Sequence, residues 1–306
     1  MANSTQRWPD FLLIGAAKAG TTALFKALTN HPQVHNSGSK EPRYFSYPDE
    51  KPQFTGPQAD ANKRSIVYKQ QDYLDLFADC QSGSLCGEAS TQYLADPIAP
   101  ATAGRLIPKA KLIAILRHPV ERAYSQYLHM RQEGVEPAAS FEQAWLDNDR
   151  RLAENWRPAY WHQHRGFYTR QIKGWLEHFP PQQLLILFYE DWCNNPHDVL
   201  SKAWRHLGIP EISNAKITRE NVSSRQPRWA WLHHRMTDQN NPIRQLAQRT
   251  LPLWTRDAIT TTVGAFNLKT GPALDPSLRA RLALTYHDDI SQLEALTGRD
   301  LRAWRN

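Results

Sequence analysis

The chain predicts an α/β fold of three layers, with a central parallel sheet flanked by helices. Three observations carry that expectation. Short, almost wholly apolar runs recur at Phe11 to Ile14, Lys111 to Leu116 and Leu184 to Tyr189, as expected of strands buried on both faces. Stretches with helical spacing of apolar residues follow those runs. A glycine-containing turn, "GAAKAGTT" from Gly15 to Thr22, joins the first run to the first helix, the strand–loop–helix context of a phosphate site.

The elements follow in order. Asp10 to Ala16 reads as a buried strand, and Thr21 to Asn30 as a helix with Leu24 and Leu28 on one face, stopped at His31-Pro32. Gly38 to Tyr47 reads as a loop passing into a short aromatic segment. Asn62 to Asp79 has mixed periodicity with helical parts, and Leu85 to Ser90 is a short strand end. Lys111 to Leu116 is the clearest second strand, closed by Arg117-His118-Pro119. A helix to Arg131 follows, with Pro119 suited to its first position. Leu184 to Tyr189 is a further strand, and Pro196 to Leu207 a helix ended by Gly208. Asn214 to Pro227 predicts a long surface loop, and Arg279 to Thr297 a last helix. No repeat, low-complexity tract or linker divides the chain, so residues 1–306 are expected to form one domain.

Bulk properties narrow the partners. The 306 residues carry a net charge of +7, with 41% hydrophobic and 22% charged residues, an ordinary globular balance. The basic excess favours anionic partners: nucleotides, sulfated or phosphorylated molecules, nucleic acid or an acidic membrane face. Three cysteines, Cys80, Cys86 and Cys193, are too few for a disulfide framework. Reduced thiols are expected, although a Cys80–Cys86 bridge is conceivable. The N-terminus has no apolar run of signal-peptide length, and the longest apolar stretches fall short of the ~20 residues of a membrane span. The expectation is a cytoplasmic protein without a membrane span.

The glycine loop departs from a nucleotide-binding loop in one informative way. The pattern G-x-x-x-x-G-K-[ST] is met at Gly15, Gly20 and Thr22, but Thr21 stands where the lysine belongs, and the lysine lies inside the loop at Lys18. In a triphosphate loop that lysine spans the β- and γ-phosphates, and the hydroxyl holds Mg²⁺. Metal-dependent loops of this kind are usually accompanied by an acidic residue at the end of another strand. Here the strand Lys111 to Leu116 ends in Arg117, which suits a further anion better than a metal. His233-His234 lacks the spacing of a metal site, and no metal ligand is expected.

"GAAKAGTTAL", "SKEPRYFS", "LRHPVERAYSQYLHM" and "NVSSRQPR" together resemble the sulfotransferases that use 3′-phosphoadenosine-5′-phosphosulfate (PAPS). The likeness is greatest to the branch that includes the heparan sulfate N- and O-sulfotransferases and their bacterial relatives. It extends through "RGFYTRQIKGWLEHFP" and "LLILFYEDW" to "LTGRDLRAW", nearly the whole chain. The resemblance implies a P-loop NTPase-like fold and metal-free transfer of a sulfuryl group from PAPS. The acceptor would be a hydroxyl, in preference to an amine, of a carbohydrate or other small metabolite. A lipid or polyketide hydroxyl is the alternative, and adenosine 3′,5′-bisphosphate is the product.

The resemblance also implies roles. Ala17, Lys18, Ala19, Gly20, Thr21 and Thr22 would cradle the 5′-phosphosulfate, with Lys18 stabilising charge on the leaving phosphate. Arg117 and Ser125 would hold the 3′-phosphate, the arginine through its two-pronged donor geometry. Glu41 would be the general base for the in-line attack. Lys40 would orient the donor sulfate, and Arg43 would bind an acidic acceptor. Ser224, Arg225 and Arg228 would belong to a loop closing over the cofactor, or simply to a polar loop. Glu88 reads either as a substrate-site residue or as an ion-pair partner of nearby arginines. It lies in "GEAST", where the glycan enzymes usually carry Gly-Glu-Lys. Ala89 thus stands in place of a lysine, which weakens the case for a polyanionic acceptor. Tyr160 and Trp161 are candidates for an acceptor cleft, because aromatic faces stack on sugar rings. Charge and composition alone leave open a nucleotide kinase or ATPase and a non-enzymatic binder of RNA or glycans. The resemblance favours neither, and no nucleic-acid partner is expected.

Overall fold

The computed structural model describes residues 7–59, 66–212, 217, 225–227, 268–270 and 272–305. Five strands form its central sheet: β1 (Phe11–Gly15), β2 (Val34–Asn36), β3 (Leu85–Ala89), β4 (Lys111–Leu116) and β5 (Leu184–Phe188). Their order is β2-β3-β1-β4-β5, and every pairing between neighbours is parallel. The helices are α1 (Thr21–Thr29), α2 (Gln70–Asp75), α3 (Ala99–Leu106), α4 (Pro119–Gln132), α5 (Phe141–Leu146), α6 (Asn148–Ala153), α7 (Tyr168–Leu176), α8 (Tyr189–Asn194), α9 (Pro196–Leu207), α10 (Pro276–Ala283) and α11 (His287–Thr297). A separate antiparallel pair joins β6 (Arg225–Pro227) to β7 (Leu268–Thr270).

The parallel sheet follows from the apolar runs. All five residues of β1 and five of the six in β4 are buried, which only a sheet covered on both faces allows. Parallel neighbours need crossovers, and the intervening helices supply them. The chain runs outward from β1 to β2, returns to β3, then crosses to β4 and β5. The connections diverge between β1 and β4, so the loops leaving those two strands meet at the carboxyl edge of the sheet. Such a switch point is where open α/β sheets place ligands.

Three expectations need correction. β2 is a strand that the sequence reading left out; three residues are too few to show a period. The last predicted helix is two, α10 and α11, with a 3-10 turn at Leu284–Tyr286 between them. Cys80 and Cys86 are not reduced but joined in a disulfide, and only Cys193 is free. A turn in which the Ser84 N–H donates to the Gln81 carbonyl at 3.2 Å brings their Cα atoms to 6.4 Å, within bridging reach.

Candidate functional site

The loop after β1 is built for close backbone approach. Gly20 precedes α1 at φ 83, a left-handed conformation that costs glycine little, and a Cβ there would press on the Tyr189 ring at 3.1 Å. The first turn of α1 has no acidic residue and no side-chain cap, so its leading N–H groups are left to an anion. Lys18 also adopts a left-handed backbone, φ 67. Burial lowers its ammonium to about 8; Arg117 and Lys40 push the same way, against the pull of Glu133.

Arg117 leaves β4 at the neighbouring edge. One Nη donates to the Lys18 carbonyl at 3.1 Å, a second approaches Glu121 at 3.5 Å, and the guanidinium lies 4.7 Å from the centre of the Tyr189 ring. Its Nε is buried without a partner among the described residues, and so is the hydroxyl of Ser125, two turns along α4. Ser125 itself is buried. A buried donor without an acceptor is costly, and two of them here leave room for an anion's oxygens.

The segment after Lys40 completes the arrangement. Lys40 Nζ donates to Thr22 Oγ1 at 2.5 Å, which ties this segment to the glycine loop. The Glu41 carboxylate accepts from the Thr91 N–H at 3.1 Å and the Thr91 hydroxyl at 2.9 Å, with Arg43 Nε at 3.5 Å. Glu41 and Arg43 have φ values of 62 and 61. Left-handed backbone at a residue with a side chain costs roughly 1–3 kcal/mol and tends to gather at functional sites. Lys18, Glu41 and Arg43 are three such residues, all at this edge.

The structure therefore brings together Ala17 to Thr22, Lys40, Glu41, Arg43 and Arg117, with Ser125 buried on the helix that follows Arg117. It does not bring Tyr160 or Glu88 to an acceptor. Tyr160 is fully buried, its hydroxyl donating to the Val135 carbonyl at 2.9 Å and its ring 5.3 Å from that of Trp156. A 3-10 turn at Pro158–Tyr160 aims this side chain inward. Glu88 is fully buried in β3, and its hydrogen-bond partners among the described residues are the hydroxyls of Tyr73, Ser90 and Tyr93, not arginines. Trp161 lines a cavity of about 1080 Å³ with His164, Phe167 and Gln171. The backbone of Arg225 is placed in β6, whereas Ser224 and Arg228 lie outside the described residues.

Sequence reasoning missed four side chains. His129 and Glu133 form an ion-pair contact of 3.3 Å on α4 and its C-cap. Burial lowers the His129 pKa, with Lys18 adding to it. Ser125, His129 and Glu133 are spaced i, i+4 and i+8, one face of a helix, so helical periodicity was the signal available. Arg165 donates to the Thr91 carbonyl at 2.8 Å. Burial lowers its pKa to about 10, followed by repulsion from Arg122, while Glu41 opposes the shift. Tyr189 shields Arg117 and packs on Gly20. Both lie in stretches that carry the resemblance, "RGFYTRQIKGWLEHFP" and "LLILFYEDW", but spacing alone gave neither a role. Among the described residues no group of three His, Cys, Asp or Glu side chains could hold a metal ion, and no helix is long and apolar enough to cross a membrane.

Residues 8–243 match the family model described as a sulfotransferase domain. A human bifunctional heparan sulfate N-deacetylase/N-sulfotransferase 3 is 34% identical over 209 residues, covering 66% of this chain and 22% of that protein. A Caenorhabditis elegans bifunctional heparan sulfate N-deacetylase/N-sulfotransferase 1 is 31% identical over 206 residues, 67% of this chain and 22% of that one. The chain thus spans about a fifth of the length of these relatives. The crystal structure of a sulfotransferase from Alicyclobacillus acidocaldarius superposes with a TM-score of 0.76 at 26% identity, over 98% of this chain and 100% of that one.

Proposed function

The chain belongs to the PAPS-dependent sulfotransferase family, and from that premise we propose that it sulfates a carbohydrate hydroxyl, with Glu41 as the general base. The observation that carries this reading is the meeting of the Lys18 loop and Arg117 with the Lys40–Arg43 segment at one edge of the sheet. The residues fit the donor: the unpartnered Arg117 Nε and Ser125 Oγ suit the oxygens of its 3′-phosphate, and the free N–H groups of α1 suit the 5′ end. When bound, PAPS supplies an activated sulfuryl group. Lys18, close to Arg117 and Lys40, offers positive charge where the leaving phosphate gains negative charge. Thr91 holds the Glu41 carboxylate by two bonds, so the base is oriented before the acceptor arrives. Trp161 offers a face for the more distant part of a saccharide. The relatives are named N-sulfotransferases, which favours an amine as the second reading of the acceptor.

Kinetics and calorimetry with adenosine 3′,5′-bisphosphate test the roles separately. Lys18→Ala and Glu41→Ala should each lower turnover by about a hundredfold or more. Glu41→Ala should leave bisphosphate affinity intact, and Arg117→Ala should weaken it. Full activity in Glu41→Ala would remove that residue from the chemistry.

A further inference from the structure

Glu88 is a carboxylate placed in the core of the sheet. It lies at the register position of Leu12 on β1 and is fully buried. Its hydrogen-bond partners among the described residues are three hydroxyls. Tyr93 donates to Oε1 at 2.6 Å, Tyr73 to the same oxygen at 3.2 Å, and Ser90 to Oε2 at 2.8 Å. A buried carboxylate without a cation is costly, so its retention at this position needs a reason.

Two of those hydroxyls have a second task. A hydroxyl has one proton to give and lone pairs to receive with. The protons of Ser90 and Tyr93 go to Glu88, which turns their lone pairs outward. Ser90 Oγ then accepts from the Arg43 N–H at 3.1 Å, and Tyr93 Oη from the Phe45 N–H at 3.4 Å. The Glu41 N–H is held by the Ala89 carbonyl at 3.0 Å. The chain from Ala89 to Tyr93 is thus a template for residues 41–45, where Glu41 and Arg43 are both left-handed. Such a backbone persists only when its surroundings over-determine it, and linked hydrogen bonds polarise one another.

We propose that Glu88 is a positioning residue for sulfuryl transfer, acting through the Ser90 and Tyr93 hydroxyls to hold the Glu41–Phe45 backbone and so aim the Glu41 carboxylate. This rests on the reading of Glu41 as the base. It explains why a carboxylate lies in the core behind a segment that carries another.

Glu88→Gln keeps the shape but turns one acceptor oxygen into an amide donor, which competes for Ser90 Oγ. Turnover should fall about tenfold, the size of one lost charged hydrogen bond, with bisphosphate affinity unchanged. The second readout is amide hydrogen exchange in the same protein. Arg43 and Phe45 should exchange faster, while the amides of β4 keep their protection. Ser90→Ala should reproduce the effect at Arg43, and it carries the test should Glu88→Gln fail to fold. The double variant should be no slower in turnover than the worse single one, because the two residues act in series. A merely structural role would loosen β4 as well and add its kinetic cost to that of Ser90→Ala. Wild-type exchange at Arg43 and Phe45, or unchanged turnover, would overturn the proposal. Exchange does not depend on the identity of the base. Faster exchange at those amides, combined with full activity in Glu41→Ala, would therefore separate failure of the base assignment from failure of the tether.

Discussion

Glu88 and Glu136 are both fully buried glutamates, yet the protein treats them oppositely. Glu136 is gripped by Arg151 through two bonds of 2.7 and 3.0 Å, and a His162 ring nitrogen lies at 2.8 Å. Burial works to raise its pKa, but those bonds outweigh it and bring the group down to about 2. Around Glu88 burial dominates: the hydroxyl bonds oppose it, the charge of Glu41 assists it, and the pKa rises to about 7. The difference lies in the partners. A cation and a histidine make Glu136 a fixed charge that ties α6 to the segment after α4. Hydroxyls leave Glu88 close to a change of charge, directly behind the site. Both carboxylates are shifted from 4.5, in opposite directions, and the one raised toward neutral pH is the one without a cation.

The largest effect that separates the two is on folding stability. Arg151→Met removes the guanidinium and leaves Glu136 buried and ionised, which should cost about 3–5 kcal/mol at neutral pH. The denaturant midpoint reads this directly. Adding Glu136→Gln to that variant should recover a large part of the loss, since the uncompensated charge goes with it. If Arg151→Met costs no more than a surface substitution, the two glutamates do not differ in the way their partners imply.

A second separation lies in the direction of the pH dependence. Glu136 has a folded pKa below its ordinary value of 4.5. Its contribution is therefore complete above about 4.5 and is lost as the pH falls toward 2. Glu88 has a folded pKa above 4.5. Its contribution is complete below about 4.5 and is lost as the pH rises through 7. Each shift corresponds to roughly 3 kcal/mol. Urea titrations across pH should show Glu88→Gln flattening the decline between about 4.5 and 7. Glu136→Gln should flatten the rise between about 2 and 4.5. Variants that flatten the other's window would erase the distinction.

The two glutamates also mark the limit of what the sequence makes legible. Lys18, Thr22 and Arg117 could be placed because each follows an apolar strand within a contiguous pattern. His129 and Glu133 were within reach, since they continue the helical face of Ser125. Glu88 was not, because its partners Tyr73 and Tyr93 join it only when α2 and the turn after β3 fold over the sheet. Glu136 shares that problem: it lies after the end of α4, and Arg151 is 15 residues away in α6. Tyr160 and Trp161 are adjacent, and no composition rule tells which of them a 3-10 turn will bury. The parallel sheet itself was read from β1, β4 and β5, whose lengths let the apolar pattern show, but β2 was too short to declare itself.

The smallest expected effect concerns the disulfide, and it sharpens the comparison because only one of the two regions has one. Cys86 lies in β3 two residues before Glu88, and Cys80 follows α2, which carries Tyr73. The bridge therefore fastens two of the elements that surround Glu88. Its loop is short, with a sequence separation of 6, so the unfolded chain gains little freedom when it opens, and reduction should cost about 2 kcal/mol. Denaturation with and without a thiol reductant measures that cost, and Cys80→Ser with Cys86→Ser should reproduce it. The loss should leave the rise in stability between about pH 2 and 4.5 untouched, since nothing in the bridge bears on Arg151 or His162. It should alter the decline between about 4.5 and 7, because loosening α2 against β3 frees Tyr73 from Glu88. Equal effects in both windows would mean that the bridge stabilises the sheet as a whole and not the Glu88 cluster.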